Sequence, residues 1–106
     1  MSYAVVPALQ ADAGLAATWG AKLTSGVYDP SIAPVDAKRG ATLGMAMTEK
    51  QGGSDVRANT TRAEPDGDDY RLWGHKWFCS APMSDGFLTL AYAPGGQPEM
   101  NLIALV

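Results

Sequence analysis

Met45-Ala46-Met47-Thr48-Glu49-Lys50-Gln51-Gly52-Gly53-Ser54-Asp55 changes texture halfway along its length. Residues 41–47 are apolar and few, the pattern of a short buried strand. After Thr48 the chain turns polar and reaches a Gly-Gly-Ser loop. Such a loop directly behind a strand can aim several backbone N–H groups into one concavity, a nest that holds anionic oxygen without a lysine. Ser54 adds a hydroxyl donor. Many plain turns also read Gly-Gly-Ser, and alone this segment reads better as one of them.

Toward the C-terminus the texture stays that of strands and turns. Residues 56–63 predict a second strand and residues 70–80 a long aromatic one, with Pro65-Asp66-Gly67-Asp68 as the hairpin turn between them. Proline presets φ there, and glycine tolerates positive φ. Alternation along 70–80 puts Gly74, Lys76, Phe78 and Ser80 on one face and His75 on the other. Large groups on both faces (Tyr70, Leu72 and Phe78; Trp73 and Trp77) predict something packed against each. A ring and a hydroxyl two residues apart suit a planar heteroaromatic ligand. Alone, the segment reads better as a buried strand with a satisfied serine. Residues 87–93 predict a fourth strand, Pro94-Gly95-Gly96 a break, and residues 100–106 a fifth strand.

Toward the N-terminus the composition shifts near residue 40. Residues 4–28 are rich in alanine and leucine, and Leu15, Trp19 and Leu23 recur on one helical face. Pro7 suits a first helical turn. Gly14 and Gly20 make two short helices as plausible as one, and Trp19 reads as a packing residue. Asp29-Pro30 and Ala33-Pro34 mark a connector. The chain thus divides into residues 1–40, a helical segment and connector, and residues 41–106, a partial β-domain. The fold class is mainly β.

The 106 residues carry 46% hydrophobic side chains, enough for one thin core. Net charge is −3, and the adjacent basic residues Lys38-Arg39 read as solvated surface charge rather than a nucleic-acid footprint. The lone Cys79 pairs with no other cysteine, which fits a reducing cytoplasm. No signal peptide, membrane span or metal site is expected.

Taken together, the two segments are far more specific than either alone. Met-Thr-Glu, then Gly-Ser-Asp, then Gly-x-Lys-x-Phe-x-Ser resembles the acyl-CoA dehydrogenase family, in the middle domain that holds the flavin. Lys50-Gln51, Asn59-Thr60-Thr61-Arg62-Ala63-Glu64 and Gly74-His75-Lys76-Trp77-Phe78 look like its AidB-like branch of alkylation-response proteins. The resemblance runs from about Tyr3 to Gly96 and is densest between Gly40 and Ala93. It implies a partial middle-domain β-barrel preceded by one or two short helices. The implied cofactor is FAD, with Met47, Thr48, Gly53, Ser54, Phe78 and Ser80 on the flavin-contacting positions. Thr48 and Ser80 would bond the pyrimidine side of the ring, Phe78 would pack on it, and Gly53 and Ser54 would meet the pyrophosphate.

The implied reaction is α,β-dehydrogenation of an acyl-CoA, with hydride passing to the flavin. The family's catalytic carboxylate lies in a C-terminal helical domain, so no catalytic residue is assigned, and Glu49 and Asp55 read as loop-shaping. His75 reads as structural. The chain is expected to be a fragment of a longer, homo-oligomeric enzyme, inactive alone. Competing readings are a non-catalytic flavin-binding or assembly module, and DNA binding through parts that lie outside this sequence. The tail, from Gln97 to Asn101, departs from the family pattern.

Overall fold

The computed structural model describes residues 2–94 and 102–104. Two helices open the chain, α1 (Val6–Leu9) and α2 (Ala13–Leu23). Pro7 lies in the first turn of α1, where its missing N–H costs nothing. Asp12 starts α2 by accepting from the N–H groups of Gly14 (2.9 Å) and Leu15 (3.1 Å). These are donors the helix itself cannot satisfy. The shared face expected of Leu15, Trp19 and Leu23 is the packed one. Trp19 is 2% exposed and joins Val5, Leu9, Ala41 and Leu43 in the core, with Leu15, Leu23, Val35 and Leu88 against it. Each large side chain there contributes about 1.5–3 kcal/mol by leaving water.

The strands follow as β1 (Leu43–Ala46), β2 (Arg62–Asp66), β3 (Asp69–Trp73), β4 (Gly86–Thr89) and β5 (Leu102–Ala104). They form a three-stranded sheet in the order β1-β4-β5 and a separate β2-β3 hairpin. β1 runs parallel to β4 and β4 antiparallel to β5. The hairpin is tied to the segment that follows β4 by backbone bonds from Ala63 N to Tyr92 O (2.7 Å) and from Tyr92 N to Thr61 O (2.9 Å). The result is a mainly β chain with two helices in front, and among the described residues the strands do not close into a barrel. Of the sequence expectations, the break at Gly95-Gly96, the tail from Gln97 to Asn101 and the outer ends of the fifth strand lie outside the described residues. No helix among the described residues is long and apolar enough to cross a membrane.

Four expectations are corrected. The fourth strand, expected over residues 87–93, is β4 and ends at Thr89. Residues 56–61 are not a strand: Val56–Ala58 is a 3-10 turn whose Arg57 N–H is capped by the Asp55 carboxylate, and β2 begins only at Arg62. Pro65 accordingly sits inside β2, opposite Tyr70, and Gly67 carries the turn at φ 66°. The long aromatic strand stops at Trp73, and Tyr70, Trp73 and Phe78 are 50%, 50% and 81% exposed rather than sandwiched. Lys38 is not a solvated charge. It is 7% exposed and pairs with Asp85 at 2.7 Å. Asp85 also accepts from Thr42 N (2.9 Å) and Thr42 Oγ1, so the connector, the start of β1 and the start of β4 meet at one carboxylate.

Candidate functional site

Past Ala46 the chain leaves the β1-β4 ladder but keeps close company with residues 77–80. Thr48 O accepts from Trp77 N at 2.8 Å, and Met45 O accepts from Ser80 N at 3.1 Å. The two segments therefore lie side by side, with an isolated antiparallel bridge between Met45 and Ser80. Gly44 makes the approach possible: a Cβ there would stand 2.4 Å from Ser80 O and 2.8 Å from the Phe87 ring. Between the two bonds the backbone bows outward. Phe78 has φ 60° and Ala81 φ 51°, both in the left-handed region that side chains disfavour. The bow lifts the Phe78 ring into solvent at 81% exposure, edge-on to Trp77 at 5.9 Å between centroids. The strand-like alternation expected for Gly74, Lys76, Phe78 and Ser80 does not occur, because residues 74–79 belong to no ladder. His75 is exposed, its ring 6.2 Å from that of Trp77.

Behind this strip lies a buried carboxylate. Glu49 is 1% exposed. It accepts from Thr60 N (2.6 Å), Thr60 Oγ1 (3.1 Å), Thr61 N (2.9 Å), Thr61 Oγ1, Gln51 Nε2 (2.6 Å) and Lys76 Nζ (3.0 Å). Burial alone would push this carboxyl up. The bonds from Thr61 Oγ1, Thr60 N, Lys76 Nζ and Thr61 N outweigh it and hold Glu49 well below the usual carboxylate range. Thr60 and Thr61 spend their N–H groups on Glu49, which is why no strand forms at that point. Gly74 passes directly over Thr61, where a Cβ would come within 2.2 Å of Oγ1 and 2.8 Å of Cα.

The peptide before Thr48 is gripped from the same side. Met47 O accepts from Asn59 Nδ2 (2.9 Å) and Lys76 Nζ (3.4 Å). The Gly-Gly-Ser loop follows, closed by Gly52 N to Glu49 O at 3.1 Å. Gly53 and Ser54 are exposed, and a Cβ on Gly53 would meet nothing within 4 Å. Among the described residues, the N–H groups of Gly53 and Ser54 have no protein acceptor, and the hydroxyls of Thr48, Ser54 and Ser80 no protein partner. The hydroxyls of Thr42, Thr60, Thr61 and Thr89 are all engaged.

Of the residues singled out by sequence, Met47, Thr48, Phe78 and Ser80 come together on two adjoining segments. Gly53 and Ser54 lie on the loop that continues from the first of them. What the sequence reading left unassigned is Lys76, Thr61 and Asn59, which meet Glu49 or Met47 from behind. The sequence carried them only as family markers, Lys76 in Gly-x-Lys-x-Phe-x-Ser and Asn59 and Thr61 in Asn59-Thr60-Thr61-Arg62-Ala63-Glu64, with no structural role attached.

The family profile of the acyl-CoA dehydrogenase middle domain matches residues 44–106. Over 80 residues the chain is 58% identical to the putative acyl-CoA dehydrogenase AidB of Escherichia coli (strain K12), covering 74% of this chain and 15% of AidB. Over 58 residues it is 50% identical to acyl-CoA dehydrogenase family member 11 of Caenorhabditis elegans, covering 53% of this chain and 9% of that one. Among solved structures, the apo form of Bd2924 aligns with 92% of this chain and 19% of its own, at TM-score 0.71 and 38% identity. The Caenorhabditis elegans ACDH-11 in complex with C11-CoA aligns with 97% of this chain and 16% of its own, at TM-score 0.64 and 34% identity. The chain thus spans less than a fifth of each of these relatives. The profile match begins at Gly44, where Ser80 first approaches β1, and on this footing the chain belongs to the acyl-CoA dehydrogenase family and resembles its AidB branch.

Proposed function

We propose that this chain supplies part of the flavin-binding surface of an FAD-dependent, acyl-CoA dehydrogenase-like oxidoreductase. The observation that carries this reading is the strip in which Thr48 and Ser80 are held on neighbouring segments, with unengaged hydroxyls and the open Phe78 ring between them. Two hydroxyl donors flanking an exposed aromatic face suit the rim and face of an isoalloxazine ring. The N–H groups of Gly53 and Ser54 and the Ser54 hydroxyl suit pyrophosphate oxygens. Met47 turns its carbonyl away, toward Asn59 and Lys76, and would contribute its side chain or its peptide plane. When bound, FAD supplies a two-electron acceptor that protein side chains lack.

The substrate in this reading is an acyl-CoA thioester, the class of ligand in the C11-CoA complex of the nematode relative. Neither acidic residue of the loop would act as its base. Glu49 is buried with its oxygens engaged, and Asp55 caps Arg57 N at 3.1 Å. The chain would therefore bind cofactor without turning substrate over. In this reading it works in the cytoplasm, within a longer homo-oligomeric protein.

An FAD titration followed by flavin absorbance and fluorescence tests the reading, with Phe78→Ala and Ser80→Ala as controls. Saturable binding weakened in both variants supports it. Binding indifferent to both would move the cofactor elsewhere, and no binding would leave the family membership standing without this role.

A further inference from the structure

The basic and acidic side chains behind the strip do more than fill space. Lys76 Nζ reaches Glu49 Oε1 at 3.0 Å and Met47 O at 3.4 Å, and the pair is 13% and 1% exposed. Such a dry ion pair is a poor device for stability alone. Desolvation offsets most of the attraction, and apolar replacements of similar volume are often neutral. Its geometric effect is specific. Glu49 fastens residues 60–61, Lys76 fastens the Met47–Thr48 peptide, and the residue after Lys76 donates its N–H to Thr48 O at 2.8 Å. A cation on Met47 O also withdraws electron density from that peptide and strengthens the Thr48 N–H as a donor. That N–H has no protein acceptor among the described residues.

We propose that Lys76, anchored by Glu49, is a positioning residue. It sets the distance between the Thr48 and Ser80 segments and aims and polarises the Thr48 peptide toward a bound flavin ring. The proposal rests on the cofactor reading above, but its structural half stands without it. Lys76 touches no ligand in this role and acts through Thr48 and Trp77. Glu49 keeps its bonds from Thr60, Thr61 and Gln51 when Lys76 is replaced but loses its counter-ion, so the β1-β4 ladder amides serve as the check that the fold stands.

The experiment compares Lys76→Met and Lys76→Arg with the unsubstituted chain. The cofactor-free arm reads hydrogen exchange at the Trp77 amide and the chemical shift of the Thr48 amide by NMR. Lys76→Met is expected to speed Trp77 exchange and move the Thr48 signal, while amides of the β1-β4 ladder keep their protection. Lys76→Arg is expected to restore both. The FAD arm, run where all variants are folded, expects Lys76→Met to weaken binding about tenfold and Lys76→Arg to recover most of it, while the unfolding midpoint falls in Lys76→Met, which leaves Glu49 without a counter-ion, and is largely restored in Lys76→Arg. Unchanged Trp77 exchange in Lys76→Met would overturn the proposal, as would loss of protection across the ladder to the same degree. If the unsubstituted chain binds no FAD, the cofactor reading fails. The Trp77 and Thr48 signals then decide the latch by themselves.

Discussion

Glu49 and Phe78 sit on segments joined by backbone hydrogen bonds, yet one is 1% exposed and the other 81%. Around Glu49 a carboxylate, an ammonium, two threonines and a glutamine engage one another, and of the neighbouring Asn59 amide only Oδ1 is buried without a partner among the described residues. Around Phe78 the backbone sits at φ 60°, the ring faces solvent, and the hydroxyl of Ser80 is unengaged. The first region spends its chemistry on holding the chain. The second is held in a conformation that the chain would not choose by itself, and its ring and hydroxyl stay unengaged, as the proposed cofactor reading requires. The contrast says where substitutions hurt stability and where they hurt binding.

The largest break is Glu49→Ala. It strands the Lys76 ammonium and the amides of Thr60 and Thr61, and is expected to cost about 3–5 kcal/mol in urea unfolding. Glu49→Gln keeps the shape and costs less. Because the folded-state value of Glu49 lies below its ordinary 4.5, the unfolded chain takes up this proton first as pH falls. The stabilisation is complete above about pH 4.5 and is lost as pH drops toward the folded value. Asp85, held below its ordinary 3.8 by Lys38 and Thr42 against the opposing effect of burial, adds the same trend further down. The unfolding midpoint should therefore fall on acidification below about pH 4.5, and Glu49→Gln should flatten that fall. A midpoint independent of pH between 5 and 3 would contradict the picture of Glu49 as an ionised anchor.

Gly74→Ala sharpens the comparison at the seam. Its Cβ would collide with the Thr61 backbone, and an overpacking cost of about 1–3 kcal/mol is expected, read by thermal unfolding. An unchanged midpoint would mean that residues 74–77 do not press on the Glu49 cluster. The smallest effect belongs to the exposed hairpin. Arg71→Ala removes a pair with Asp66 at 2.7 Å whose side chains are 69% and 52% exposed, so the change is expected to stay below about 1 kcal/mol.

Periodicity and punctuation made much of this architecture legible. The face of Leu15, Trp19 and Leu23, Pro7 at a helix start and the apolar run into β1 all came from spacing. The strand boundaries did not. Residues 56–61 look like strand until one sees that Thr60 and Thr61 bond a carboxylate far back in the chain. Residues 74–79 alternate on paper, but the positive φ at Phe78 ends any alternation, and nothing in a phenylalanine announces positive φ. Lys38 read as surface because its partner Asp85 lies 47 residues away. The candidate site residues came from a family pattern. What spacing alone could not show is that Lys76 and Glu49 stand behind them, since their partnership exists only once the hairpin has folded.

The most direct test measures stability and FAD affinity side by side for Phe78→Gly. Glycine accepts φ 60° without strain, and the exposed ring contributes little packing, so the unfolding midpoint should hold or rise, by up to about 1 kcal/mol in stability. FAD binding should weaken about tenfold as the stacking face is lost. A midpoint that holds while affinity falls is the predicted result. An affinity that stays at the unsubstituted value, or a fold that fails together with the binding, would contradict the division of the molecule into a region that holds and a region that is held for a ligand.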